Sequence, residues 1–168
     1  MSAMDLTLDF FRHNSMMNRR LVEACRQLPA GQLAASTPGT YGSIGATLVH
    51  IANAQEGYAA RFLRTPRPGP LPEDPFPGFE AVAERMAHGD GLLEQAAARV
   101  AEDHEVQVTG DDPPGTWRMP AALFLLQAVN HGTEHRSQVA TILTQLGVRP
   151  PAMDGWAYFL ASGRMIPV

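Results

Sequence analysis

Two histidines stand four residues apart in His131-Gly132-Thr133-Glu134-His135, inside a long and otherwise apolar helical pattern. Successive residues of an α-helix turn by about 100°, so positions i and i+4 project about 40° apart and both imidazoles can reach one ion. Two ligands do not hold a metal firmly. The chain offers His50 as a third, in another segment rich in apolar residues. Ala46 and Ala54 lie one turn to either side of His50 and Gly57 two turns on, which leaves room beside the ring. Small residues on a helix face equally suit a close helix contact, and spacing alone does not bring His50 to the other pair. The competing reading is of core histidines satisfied by hydrogen bonds only.

The same five residues match the H-x-x-E-H form of inverted zinc peptidases, in which the Glu is the general base. Those enzymes take a later Glu as third ligand, and no Glu follows Glu134. A peptidase is therefore a poor reading, and Glu134 is read as a solvated helix residue. Gln138, one turn past His135, shares the inward face and suits either an interhelical hydrogen bond or a contact to a ligand at the ion. Arg136 projects about 100° from the pair and suits a carboxylate or an anion. His13 falls on an apolar stripe and is read as a satisfied core histidine, with a second-sphere role or a fourth-ligand role as alternatives. His88 and His104 are read as solvated.

Composition narrows the chemistry further. All 13 basic residues are Arg, which removes lysine Schiff-base and lysine general-base mechanisms. The single cysteine, Cys25, excludes an internal disulfide and a zinc ribbon and is read as a small core residue. A net charge of −4 without a basic run argues against nucleic acid as a partner. No apolar run approaches the roughly 20 residues of a membrane span, and the N-terminus lacks the pattern of a cleaved signal. The expectation is a single domain over 1–168, soluble and cytoplasmic, with a small-molecule substrate.

These side chains need helices to position them, and the pattern supplies four. Leu6, Phe10, Met17, Leu21, Ala24 and Leu28 recur at helical steps over 4–28. Ser43 is the expected N-cap of a second helix reaching Leu63, with Ile44, Leu48, Ile51, Tyr58 and Phe62 on its apolar side. Six prolines between Thr65 and Gly78 dictate an extended connection. A third helix is expected over 79–102, distorted where His88-Gly89-Asp90-Gly91 interrupts it. Val106-x-Val108, a turn-rich stretch and Thr116-Trp117-Arg118 predict a small hairpin-like excursion. The fourth helix is expected to begin at Pro120 and to stop at Gly147, carrying Phe124, Ala128, His131, His135, Val139, Ile142 and Leu146 on one stripe. A short helix is expected between Asp154 and Ser162. The fold class is all-α, a four-helix bundle, an architecture that builds metal sites from facing helices.

Leu48-Val49-His50-Ile51-Ala52-Asn53, Asn130 through Val139, and Leu146-Gly147-Val148-Arg149-Pro150-Pro151 through Asp154 resemble the DinB/YfiT-like metalloprotein superfamily, which is unrelated to the DNA polymerase sharing part of that name. Asn14-Ser15-Met16-Met17-Asn18-Arg19-Arg20-Leu21 is similar to its first-helix pattern, with Met17 where an aromatic residue is common. The resemblance spans nearly the whole chain. It implies an up-down-down-up bundle, commonly a homodimer, with one divalent transition-metal ion held by His50, His131 and His135. Zn²⁺ or Ni²⁺ comes first for such ligands, with Mn²⁺ and Fe²⁺ as alternatives. Members with assigned activity include transferases and isomerases that use low-molecular-weight thiols such as bacillithiol or mycothiol. The resemblance therefore implies a metal-dependent enzyme with an open three-His site, a small-thiol-dependent transferase or a hydrolase. The alternative is a stress-associated metal-binding or interaction protein without turnover, its coordination closed by a group such as His13 or Gln138; a purely structural bundle is the third reading.

Overall fold

The computed structural model describes residues 3–111 and 114–167. Four long helices carry most of the chain: α1 (Ala3–Arg26), α2 (Ile44–Leu63), α3 (Phe79–Ala98) and α4 (Ala122–Gln145). Short 3₁₀ segments at Ala30–Ala34 and Val100–Glu102 precede α2 and follow α3 respectively. A two-stranded antiparallel hairpin, β1 (Glu105–Asp111) and β2 (Pro114–Pro120), precedes α4, and a short helix α5 (Gly155–Ala161) closes the chain. α2 packs along α3 and α4, and α1 lies against the same two helices.

The helix ends follow from local chemistry. Ser43 caps α2, its Oγ accepting the Ala46 N–H at 3.1 Å, and Asp154 caps α5 through the Ala157 N–H at 2.8 Å. α4 ends in a Schellman turn, in which Gly147 takes φ +75° while its N–H reaches the Thr144 carbonyl and the Val148 N–H reaches Leu143. Three boundaries differ from the sequence expectation, the first being that α1 ends at Arg26 rather than at 28. Pro120 is the last residue of β2, paired with Glu105, so α4 starts two residues later. α3 runs unbroken through Gly89 and Gly91; it ends at Ala98 rather than at 102.

Two apolar clusters form the core, and each long helix crosses both. The first gathers Phe11 of α1, Phe62 and Leu63 of α2, Leu93 and Ala96 of α3, and Phe124 and Leu125 of α4. The second gathers Leu21 and Cys25, Ile44 and Leu48, Val82 and Met86, and Val139 and Ile142, again from all four. Between them lies a buried polar layer. Arg136, 2 % exposed, donates from Nη1 to Asn14 Oδ1 and Asn18 Oδ1, both at 2.7 Å, and from Nη2 to Thr133 Oγ1 at 2.9 Å. Both asparagine amides donate to Gln55 Oε1 at 2.7 Å, and Gln55 Nε2 donates to Asp90 Oδ1 at 2.8 Å. Ser15 and Arg19 complete the Asp90 carboxylate. A guanidinium on α4 is thus joined to a carboxylate on α3 by amide dipoles from α1 and α2, which satisfies every member at low dielectric.

This layer corrects the inward face of α1. Leu6 and Phe10 were expected in the core but are exposed, at 44 % and 55 %; Phe11, Asn14 and Asn18 face inward instead. It also explains Gly89. A Cβ there would meet Gln55 Nε2 at 3.0 Å and the Glu56 backbone nitrogen at 3.3 Å, so the glycine lets α3 approach α2 where a distortion was expected.

Candidate metal centre

α2 carries His50, α4 carries His131 and His135, and the packing of these helices brings the three rings together. One ligand atom from each lies within 4.8 Å of the other two, the one such grouping of His, Cys, Asp and Glu among the described residues. His50 Nε2 and His131 Nε2 are 3.0 Å apart, and the ring centroids of His131 and His135 are 4.3 Å apart. His135 is buried, and the other two rings are partly so.

The outer nitrogens of two rings are held in place. His50 Nδ1 lies 3.2 Å from Glu73 Oε1, and His135 Nδ1 lies 2.9 Å from Gln138 Oε1. A carboxylate oxygen only accepts, and so does the Gln138 oxygen, which already takes the Tyr41 N–H at 2.9 Å. Both Nδ1 atoms therefore carry a proton, which in the neutral ring leaves the lone pair on Nε2. This is the tautomer a metal-ligating imidazole needs, supported by the outer partners such ligands usually have. Burial, with His135 and His50 alongside, pushes His131 down to about 4. Burial also holds His50 below the ordinary imidazole value, although Glu73 pulls the other way. Both rings are neutral at pH 7, the form that binds metal. Three imidazoles converging on one spot fit a divalent transition metal.

Glu73 reaches His50 because the proline-rich connection is tied to α2. Asn53, one turn after His50, accepts the Leu71 N–H at 2.9 Å and donates to the Leu71 carbonyl at 2.9 Å, an amide imitating a strand partner. Arg85 donates to the Gly69 carbonyl at 2.9 Å, and the Arg67 guanidinium lies over Gly57, where a Cβ would approach it to 3.0 Å. The small side chain at Gly57 thus accommodates Arg67 rather than a ligand. On the opposite side Tyr41 donates its hydroxyl to both Glu73 oxygens, at 3.0 and 2.9 Å. Its ring stacks on His50 with centroids 3.9 Å apart and meets His135 edge-on at 5.3 Å. Desolvation and the Glu73 carboxylate push its phenol up to about 12, so it remains a donor. Tyr58 presents its ring edge-on to His131 at 5.7 Å.

Sequence reasoning did not find Glu73 or Tyr41, which lie in connections without periodicity; the polar Asn53 inside an apolar helix was the available signal. The other candidates separate cleanly. His13 is satisfied, its Nε2 3.2 Å from the Met153 carbonyl oxygen. Glu134 is exposed. Arg136 serves the polar layer rather than a surface carboxylate or anion. His88 is half-exposed yet not free, since its Nδ1 lies 2.5 Å from a carboxylate oxygen of the buried Glu56, which also pairs with Arg85. His104 is partly buried against Phe62, with Nε2 enclosed, rather than solvated. Cys25 is a core residue, and burial pushes its thiol up to about 12.

Taken together, these features define a mostly helical protein with a three-histidine cluster able to take a metal ion. The chain belongs to the DinB family, whose model matches residues 1–164. No curated protein matches it. No described helix is long and apolar enough to cross a membrane.

Proposed function

We propose that this chain is a divalent-metal-dependent enzyme acting on a small molecule, with His50, His131 and His135 as the protein ligands. The observation that carries the reading is the absence of a fourth protein donor among the candidates weighed for one. His13 is engaged by Met153, and the Gln138 oxygen is occupied by Tyr41 and His135. A three-imidazole set with no closing protein ligand is the pattern of catalytic rather than structural sites. A metal-binding protein without turnover would need the closing group that neither residue supplies.

An ion bound there would supply Lewis acidity, activating water or a small thiol toward an electrophilic substrate. Glu73 and Gln138 hold the Nδ1 protons of His50 and His135, so these ligands are oriented before any ion arrives. Burial keeps His50 and His131 unprotonated at neutral pH. Family membership favours the thiol, which makes a small-thiol-dependent transferase the first activity to assay and a hydrolase the second. The proposed architecture is one up-down-down-up four-helix bundle over 1–168, supported by the order in which the helices cross the two clusters. α1 and α4 run from the first to the second; α2 and α3 run back. The proposal includes a homodimer, for which exposed Leu6, Phe10, Trp156 and Leu160 provide apolar surface, and a cytoplasmic location.

Elemental mass spectrometry on untagged protein purified without chelator tests the reading, alongside His131→Ala. About one Zn²⁺ or Ni²⁺, or else Mn²⁺ or Fe²⁺, per chain is expected, with loss in the variant. A protein that arrives metal-free and takes up none of these ions when they are added refutes it.

A further inference from the structure

Both outer contacts of the site converge on Tyr41. Its hydroxyl bridges the two oxygens of Glu73, which holds His50, and its backbone N–H holds the Gln138 oxygen, which holds His135. One residue therefore touches the outer partners of ligands on two different helices, while its own ring stacks on one ligand and edges against the other.

The loop that delivers Tyr41 is built rather than loose. Its base is closed by the Ile44 N–H donating to the Ala35 carbonyl at 3.0 Å. Inside it, Thr40 Oγ1 donates to the Thr37 carbonyl at 2.8 Å, and Gly39 takes φ +86°, a turn geometry that disfavours any side chain. Across the site the Asn53 clamp on Leu71 fixes the approach of Glu73 just as firmly. Two connections, one before α2 and one after it, are thus joined over the histidines by the Tyr41 to Glu73 hydrogen bonds.

We infer that Tyr41 is a positioning residue of the three-histidine site, and that with Glu73 it forms a latch orienting His50 and His135 for metal. This deepens the metal-dependent reading and rests on it. Outer partners of ligating histidines usually govern affinity by about 10- to 100-fold, and here one residue touches both, Glu73 through its hydroxyl and Gln138 through its backbone N–H. Loss of the hydroxyl alone frees Glu73, whereas loss of the whole side chain also removes the ring stacked on His50.

Co²⁺ titration of the full-length chain, followed by visible d–d absorption, tests the latch in Tyr41→Phe, Tyr41→Ala and Glu73→Gln, with His131→Ala marking the site itself. Wild type is expected to bind Co²⁺. Glu73→Gln and Tyr41→Ala should weaken it about 10-fold or more, with an altered d–d band, and Tyr41→Phe should fall between them and wild type. The metal-free melting temperatures should stay within about 2 °C of wild type, as expected for changes at a partly exposed loop. Unchanged affinity and spectrum in Tyr41→Ala and Glu73→Gln, with binding abolished in His131→Ala, overturns the latch and leaves the metal site standing. Lower melting temperatures with an unaltered d–d spectrum overturn it as well, by reducing Tyr41 to a structural role. Failure of wild type to bind Co²⁺ or any other divalent transition metal overturns the metal reading, and the latch with it.

Discussion

Gly132 lies between the two clustered histidines of α4, and replacing it with alanine should destabilise the protein although alanine is the better helix former. An added Cβ would sit 2.7 Å from Asn14 Oδ1 and 2.9 Å from Arg136 Nη1. A flexible side chain could swing aside, but these two are bonded to each other at 2.7 Å and are held by Asn18, Gln55 and Thr133 as well. Relief requires breaking or stretching a hydrogen bond to a buried guanidinium, which costs about 1.5–3 kcal/mol. The gain in helix propensity offsets about 1 kcal/mol. The net loss is about 0.5–2 kcal/mol, or a melting temperature lower by about 1–8 °C for a chain of this size. Gly91→Ala provides the control. It lies within α3, is exposed, and an added Cβ there has nothing within 4 Å, so the same substitution should raise the melting temperature by about 1–4 °C. Calorimetry or circular dichroism on the metal-free proteins measures both. If Gly132→Ala proves as stable as wild type while Gly91→Ala behaves as expected, the polar layer is not rigid and the packing argument is wrong.

Three further perturbations probe the same framework. Arg136→Met leaves the Asn14 and Asn18 carbonyls unpaired inside the protein; chemical denaturation should show a loss of about 1–3 kcal/mol for each. In the metal-free chain His131, pushed down to about 4, binds its proton less readily folded than unfolded, so stability should rise with pH between about 4 and 6.5. Solvent screening at this partly exposed ring reduces the effect to about 1–2 kcal/mol, and His131→Asn should flatten the slope of denaturation midpoint against pH. His50 and His13, also lowered by burial, act in the same direction and leave a residual slope. Asn53→Ala removes both bonds to Leu71 and should cost about 1–2 kcal/mol, with faster amide exchange across 69–73.

His131 and His135 were legible in the sequence as candidate ligands because they lie on the periodicity that builds the core. His131 and His135 continue the stripe of Phe124, Ala128, Val139 and Ile142, so the pattern that reveals the helix also places the rings. Ser43 and Gly147 were legible for a related reason, since each acts within a few residues of itself. Periodicity was misleading where polar side chains face inward. The inner face of α1 runs through Phe11, Asn14 and Asn18, and two asparagines look like an outer face until Arg136 and Gln55 are known to meet them. Arg136 is hidden for the same reason, being a charge whose burial is tolerable only because α1 supplies two amide acceptors that Gln55 of α2 holds in turn. Glu73 and Tyr41 are less visible still. Each works across a connection, Glu73 standing 23 residues from His50, and its position depends on Asn53 binding a backbone that carries no helical signal. The chemistry therefore divides by origin: helix periodicity supplies the atoms for a metal, while irregular chain supplies the partners that orient them. A change in either loop should alter how the site binds while leaving the helices that carry it folded.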